Sequence, residues 1–390
     1  MKAIGFNQPL PVSDPQSLIG LDLPEPIYGE QDLLIEVQAI AVNPADTKVR
    51  ASARPAAGSW RILGWDAVGR VRAVGSQVTG FKAGDRVFYA GAIDRPGSYS
   101  ELQAVDARIV AHAPASLGDE DAAALPLTTL TAWETLFDRL RVELPVAGAA
   151  NAIVVIGGAG GVGSLAIQLA RALTDLTVIA TASRQETVAW VKKLGAHHVI
   201  DHRHPLAAQV DALGLGAPAF VFSTTHTESY LADIVELIAP QGRIALIDDP
   251  KTLDIVPLKR KSLSVHWEFM FTRSVLGTAD ITRQHNILRE LAQLVDQGRI
   301  ATTRTQTLGA INAENLRTAH ALLESGQAIG KIVLAGWQGW TCSRDSSKTL
   351  DRFIERVQAI ESLEANKPLP GHHLGVSALQ DSWKGSFRFS

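Results

Sequence analysis

The segment Gly158-Ala159-Gly160-Gly161-Val162-Gly163 carries the plainest chemistry in the chain, a Gly-x-Gly-x-x-Gly spacing at one turn. It follows the apolar run Ile153–Ile156, which reads as a buried strand. An Ala/Leu/Ile-rich stretch to Ala170 follows it and reads as a helix. In that setting the glycines serve three mechanical ends, namely a tight turn, room for a pyrophosphate against the backbone, and close packing of helix on strand. The helix N-terminus adds free N–H groups and positive partial charge. The reading is a dinucleotide-binding turn; the alternative is a glycine turn that serves only the fold. The next strand, Val178–Ala182, ends at Ser183-Arg184. An acid at that point would bind a ribose 2′-hydroxyl, whereas Ser183 and Arg184 can donate to a 2′-phosphate. The expected cofactor is therefore NADPH, the alternative being that Arg184 points into water.

These residues need a sheet to hold them. From about Ala132 to Trp267 the pattern alternates strand and helix, with strands at Ile153–Ile156, Thr177–Thr181, His198–Ile200, Ala219–Phe222, Arg243–Ile247 and Leu263–Trp267. That alternation predicts a doubly wound parallel sheet. Residues 1 to about 125 read as short strands with glycine punctuation, among them Leu33–Val42 and Ala67–Gly75, as in a mostly antiparallel β domain. Helical patterns cover 279–298 and Glu314–Glu324, and the apolar strand Ile332–Leu334 follows. After Trp337 the composition shifts, and 337–390 reads as an appended tail of unassigned role in which Leu350 to Leu363 has helical spacing.

Composition sets bounds. The 390 residues allow two domains and a small addition, and 46% hydrophobic content is ample for large cores. A net charge of −3 gives no reason to expect nucleic acid or an anionic membrane. The single cysteine, Cys342, excludes a disulfide framework and any multi-cysteine zinc site, and it permits a reducing compartment. Leu144–Ala170 lacks charge and is long enough to span a bilayer. Its clustered glycines would weaken such a helix, however, and no signal-peptide pattern opens the chain. The expectation is a soluble, cytoplasmic protein.

Together these residues resemble the medium-chain dehydrogenase/reductase superfamily over 1 to about 336. Asn43-Pro44-Ala45-Asp46-Thr47 resembles an early motif of its quinone oxidoreductase branch. Gly64-Trp65-Asp66 stands where alcohol dehydrogenases carry Gly-His-Glu, and Pro126–Trp133 is similar to the segment entering the cofactor domain. Gly330–Leu334 resembles the closing strand, and Phe269–Ser274 resembles a zinc-type alcohol dehydrogenase-like subgroup. The resemblance implies an α/β fold: a GroES-like β domain (1–125 and 269–336) around a Rossmann domain (126–268). It leaves a homodimer open.

The zinc enzymes of this superfamily use a Cys, the motif His and a later Cys as ligands. The matching positions here hold Asn43, Trp65 and Leu127, none a useful zinc ligand, and Asp66 alone does not make a site. No metal is expected. His197, His198, Asp201, His202 and His204 form a second candidate group, read as incidental surface residues, as are His372 and His373.

Without a Lewis acid, oxidation of a simple alcohol lacks its usual stabilisation of the alkoxide. Hydride delivery to a quinone or an α,β-unsaturated carbonyl is easier, with the protein supporting a developing oxyanion. The candidate catalytic residues are Asn43, Asp46, Arg50, Trp65 and Asp66. Asn43 reads as a donor to the substrate oxygen or as a turn residue before Pro44, Asp46 as a loop anchor or an acid, and Arg50 as a site cation or a solvated charge. Tyr99 reads as a proton donor or a packed aromatic. Trp65, Trp267, Phe269 and Phe271 read as an aromatic wall or as core. Thr131 is expected near the nicotinamide ribose, and Lys331 is either a pyrophosphate contact or a surface lysine. The competing functions are a zinc-free alcohol or aldehyde oxidoreductase and a non-catalytic nucleotide-binding protein.

Overall fold

The charge-free stretch after Leu144 divides into the strand Ala150–Ile156 and the helix Gly161–Leu173. This computed structural model describes residues 1–337. Around that strand lies a six-stranded, wholly parallel sheet in the order His198–Ile200, Thr177–Thr181, Ala150–Ile156, Pro218–Ser223, Arg243–Leu246, Ser264–Trp267. Its central strands are covered on both faces, which is why they read as unbroken apolar runs; Ile153, Val154 and Val155 are fully buried. The strand order reverses between Ala150–Ile156 and Pro218–Ser223. In sheets of this kind ligands bind in the crevice beyond the carboxyl ends at such a reversal.

A second, seven-stranded sheet is mostly antiparallel and centres on the long strand Asp32–Val42. That strand pairs with Ala67–Val74, with Leu102–Asp106, and with the closing strand Lys331–Ala335, where Ile332 faces Val42. The end of the described chain therefore returns to the sheet that the N-terminal part begins. The register sets Lys331 beside the point where Asp32–Val42 runs into Asn43.

Three elements differ from the sequence reading. Residues 44–52, expected as a motif within a β domain, form the helix Pro44–Ser52. Pro44 opens its first turn, where no N–H is needed, and the Asp46 carboxylate accepts the Asn43 N–H at 2.6 Å. Pro126–Trp133 is a wholly buried helix that continues as a π-helical turn, Glu134–Arg139. The strand Arg304–Thr307 runs parallel to the closing strand, and its polar sequence gave no alternation to detect it. Among the described residues, no helix is long and apolar enough to cross a membrane. The tail beyond 337, with Cys342, His372, His373 and the helical spacing from Leu350 to Leu363, lies outside the described residues.

Candidate active site

The glycine turn sits at the carboxyl end of Ala150–Ile156, with Gly160 capping the helix that begins at Gly161. Its tightness is measurable. A Cβ on Gly163 would stand 2.3 Å from the Gly157 carbonyl oxygen, and one on Gly158 would stand 2.9 Å from the Ala180 Cβ. These two glycines bring helix, turn and neighbouring strand into contact. Gly160 is different, because a Cβ there would meet only the Gly157 oxygen, at 3.5 Å. Ala159, Gly160, Gly161 and Val162 are half-buried and open the first turn of the helix, whose amides have no intrahelical partner. The cradle fits a pyrophosphate.

Arg184 stands at the carboxyl end of the next strand, as its sequence position requires, and begins the helix Gln185–Lys193. Its side chain is partly exposed. Nη2 donates to the Gln327 carbonyl at 2.9 Å, and Nε lies 3.3 Å from Glu186. Ser183 is half-buried beside it.

Asn43, Asp66 and Lys331 meet in a closed polar network. Asp66 is fully buried: Oδ2 accepts from Asn43 Nδ2 at 2.9 Å and from Lys331 Nζ at 2.8 Å, while Oδ1 accepts from the Leu127 N–H at 2.7 Å. Lys331 also donates to the Val42 carbonyl at 3.0 Å and to Asn43 Oδ1. Burial pushes the Asp66 carboxyl above the usual aspartate range, opposed by Lys331 and the Leu127 N–H. Both expectations for Lys331 are corrected. Its side chain is 3% exposed, so it is not a surface lysine, and its three N–H donors are all spent, so none is left for a pyrophosphate. The Asn43 amide is likewise turned inward, toward Asp66 and Lys331, and is not a free donor to a substrate oxygen.

Arg50, His320 and Tyr99 form a second buried chain, and Asp46 lies close to its Tyr99 end. Arg50, 2% exposed, forms an ion pair with Glu324, donates to the Leu10 carbonyl, and donates through Nε to His320 Nδ1 at 3.3 Å. The other ring nitrogen, His320 Nε2, lies 3.2 Å from the Tyr99 hydroxyl, a buried phenol whose ionisation is opposed first by burial and then by the nearby charge of Asp46. With Nδ1 accepting from Arg50, Nε2 donates to Tyr99. Arg50 is thus neither a solvated charge nor a group facing the cleft, because its guanidinium ties the helix Pro44–Ser52 to the helix Ala313–Glu324. Burial lifts the Asp46 carboxyl to about 7, aided by the charge of Asp66 and opposed by the Asn43 N–H and Lys331. Burial and the Arg50 charge lower His320 to about 3. No sequence pattern linked His320 or Glu324 to this region.

Three of the four aromatics pack together, and Trp267 makes no ring contact with them. Trp65 and Phe271 are buried and meet edge to face at 5.9 Å, with the Trp65 indole N–H bonded to the Ala92 carbonyl. Phe269 packs on Phe271 at 5.5 Å and is 52% exposed, and Trp267 is 53% exposed. Thr131 is buried, and its hydroxyl donates to the Leu127 carbonyl within its own helix. A neighbouring threonine that the sequence did not single out, Thr128, lies against the glycine turn, its Cγ2 3.0 Å from a Cβ on Gly161.

The positions that would ligate zinc converge on Asp66, and they do not fit the metal. They offer an amide already bonded, an indole and a leucine, while the one carboxylate is saturated by an ammonium, an amide and a backbone N–H. The histidine group is dispersed in its bonding. His197 bonds Arg171 at 2.7 Å and the Val178 N–H at 2.9 Å, and Asp201 pairs with Arg203.

With this geometry in view, two family models match: "Zinc-binding dehydrogenase" over residues 194–334 and "Alcohol dehydrogenase GroES-like domain" over 29–115. A zinc-type alcohol dehydrogenase-like protein of Staphylococcus aureus strain MSSA476 is 39% identical over 336 residues, covering 86% of this chain and 99% of its own. A crystal structure of a putative zinc-dependent alcohol dehydrogenase from Rhizobium etli CFN 42 superposes with TM-score 0.86 at 58% identity, covering 87% of this chain and 99% of its own. Escherichia coli quinone oxidoreductase, solved with NADPH, superposes with TM-score 0.71 at 25% identity, covering 86% of this chain and all of its own. Sheet, glycine turn and relatives agree: the chain belongs to the medium-chain dehydrogenase/reductase superfamily of oxidoreductases.

Proposed function

We propose that this protein is a zinc-independent, NADPH-dependent reductase of quinones or α,β-unsaturated carbonyls, acting in the cytoplasm. One observation carries the reading. Where a zinc enzyme holds its Lewis acid, this chain has Asp66 closed by Asn43, Lys331 and the Leu127 N–H. An acceptor that is already electron-poor needs no such acid. The reduced nicotinamide, when bound, supplies the hydride. The chain's own residues do the rest. Gly158–Gly163 seats the pyrophosphate, Ser183 and Arg184 hold the 2′-phosphate, and Thr131 is the candidate contact for the nicotinamide ribose or its amide. Phe269, backed by Phe271 and Trp65, gives a planar acceptor an aromatic face. Asn43 and Asp66 form the fixed polar floor behind that face. The E. coli relative's NADPH complex supports the cofactor, and its name supports the acceptor class.

The test is NADPH consumption with a benzoquinone and with a simple enone, before and after exhaustive chelation. Turnover that survives chelation, with negligible oxidation of simple alcohols, is the expected outcome. Activity lost on chelation and restored by zinc rejects the reading. So does alcohol oxidation faster than any conjugated reduction, and so does dinucleotide binding without turnover of any acceptor.

Arg184→Ala tests the cofactor choice. A charge-assisted hydrogen bond contributes about 1.5–3 kcal/mol, so the NADPH-to-NADH affinity ratio should fall by about tenfold or more. Because the side chain is partly exposed and shared with Gln327 and Glu186, the lower end is expected. An unchanged ratio removes Arg184 from the cofactor site.

A further inference from the structure

The return segment before the closing strand touches the proposed cofactor seat at successive points. The Gln327 carbonyl accepts from Arg184, the Gly330 N–H donates to the Ala159 carbonyl at 2.9 Å, and Gly330 pairs with Gly160. Lys331 then leaves the turn and crosses to the other sheet. Its Cδ lies 2.9 Å from a Cβ on Gly161, and its ammonium ends on Val42, Asn43 and Asp66. Asp66 in turn holds the Leu127 N–H, in the first turn of the helix whose Thr128 is the other close neighbour of Gly161. The contacts close a ring: Lys331, Asp66, Leu127, Thr128, Gly161 and back to Lys331. The Lys331 ammonium and the helix turn that carries Thr128 are thus both held by one carboxylate.

We propose that Lys331 is a positioning residue that couples the dinucleotide seat to the acceptor end of the cleft. Its stem limits how the first turn at Gly161 sits, and its ammonium fixes Asn43 and Asp66. The inference rests on the reductase reading of the cleft. Hydride transfer needs the reacting atoms about 3–3.5 Å apart, and a misplacement of about 1 Å can cost about a hundredfold in rate. A rigid ring spanning cofactor seat and acceptor floor is one way to hold that distance.

Lys331→Met, Asp66→Asn and the double variant separate coupling from charge balance. Each single change leaves a buried charge unpaired and should lower the thermal midpoint; the double change leaves none and should recover most of it. In the double variant, NADPH affinity measured by tryptophan quenching should still be weaker, and kcat with benzoquinone at saturating NADPH lower by about tenfold, with KM for the quinone nearly unchanged. Native affinity and native kcat in the double variant would mean that Lys331 only neutralises Asp66, and would overturn the proposal. Hydrogen exchange on the wild-type protein gives a check that needs no substitution. NADPH should slow exchange at the Leu127 and Asn43 amides, whose acceptors are Asp66 and Asp46, and unchanged exchange at both overturns the coupling. Wild-type protein that binds no NADPH in the quenching assay rejects the reductase reading instead.

Discussion

Gly163→Ala is expected to weaken dinucleotide binding severely and to lower stability, whereas Gly160→Ala should weaken binding as severely and leave stability intact. The difference follows from what each new methyl group meets. At Gly163 the atoms in the way are backbone: the Gly157 oxygen at 2.3 Å and the Gly158 Cα at 2.7 Å. Neither can move without pulling the strand Ala150–Ile156 from the helix Gly161–Leu173. Overpacking of this kind costs about 1–3 kcal/mol, and the displaced helix start no longer presents its amides to a phosphate. At Gly160 the backbone has φ −72° and ψ 173°, which alanine adopts freely, and the nearest atom is 3.5 Å away. Its methyl group would project into the half-open face where the pyrophosphate must approach. Thermal melts with NADPH and NADH titrations on both variants provide the measurement, and a loss of affinity of about a hundredfold or more is expected in each. If Gly160→Ala binds NADPH as tightly as the native protein, the pyrophosphate does not lie on this turn.

The glycine turn was legible because its meaning is local: strand, turn and helix are contiguous, and Gly158, Gly160 and Gly163 are read together. The place of Arg184 at the carboxyl end of the next strand was legible for the same reason, while its contact with a 2′-phosphate is a proposal. Lys331 was misread because its environment is made by residues remote in sequence. Only the pairing of Ile332 with Val42 sets its ammonium beside Asn43 and Asp66. Nothing in Gly330-Lys331-Ile332 tells a lysine at the mouth of a sheet from one sealed inside it. Arg50 failed likewise, since its partner Glu324 comes from a helix near the end of the described chain. The helix Pro44–Ser52 had a signal that was not used: Asn43, Pro44 and Asp46 stand at the cap, first and third positions of a helix start. Glu134 and Glu268 had a weaker signal, an acid beside a tryptophan in each case, Trp133-Glu134 and Trp267-Glu268.

Those two glutamates set the second large expected effect, a loss of stability as pH rises from about 6.5 to about 9. They are buried together, 1% and 3% exposed, at the π-helical turn and just past the strand Ser264–Trp267. Arg273 Nη1 lies 2.6 Å from Glu134 Oε2, and Arg139 Nε donates to Glu268 Oε2 at 2.7 Å. The two carboxyls lie close enough that the charge of Glu268 acts directly on Glu134. Glu268 Oε1 has no hydrogen-bond partner, and a proton held by Glu134 would supply the donor it lacks. Burial, reinforced by the charge of Glu268 and opposed by Arg273, lifts Glu134 to about 9 from 4.5. Burial likewise lifts Asp46 to about 7 from 3.8. Between the ordinary and the raised value the folded protein holds more protons than the unfolded chain, so each group's contribution falls as pH rises. His320 acts oppositely: lowered to about 3 from 6.5, it makes stability rise with pH in that window and adds nothing above it. From about 6.5 upward the carboxyls alone remain of these groups, and the loss by pH 9 is on the order of 3 kcal/mol. Glu268→Gln removes the neighbouring negative charge and should flatten the slope, because Glu134 then ionises against Arg273 at lower pH. Urea melts of both proteins at pH 6.5, 7.5 and 8.5 measure it. A native slope of zero, or an equal slope in Glu268→Gln, would show that the pair does not share a proton in the folded state.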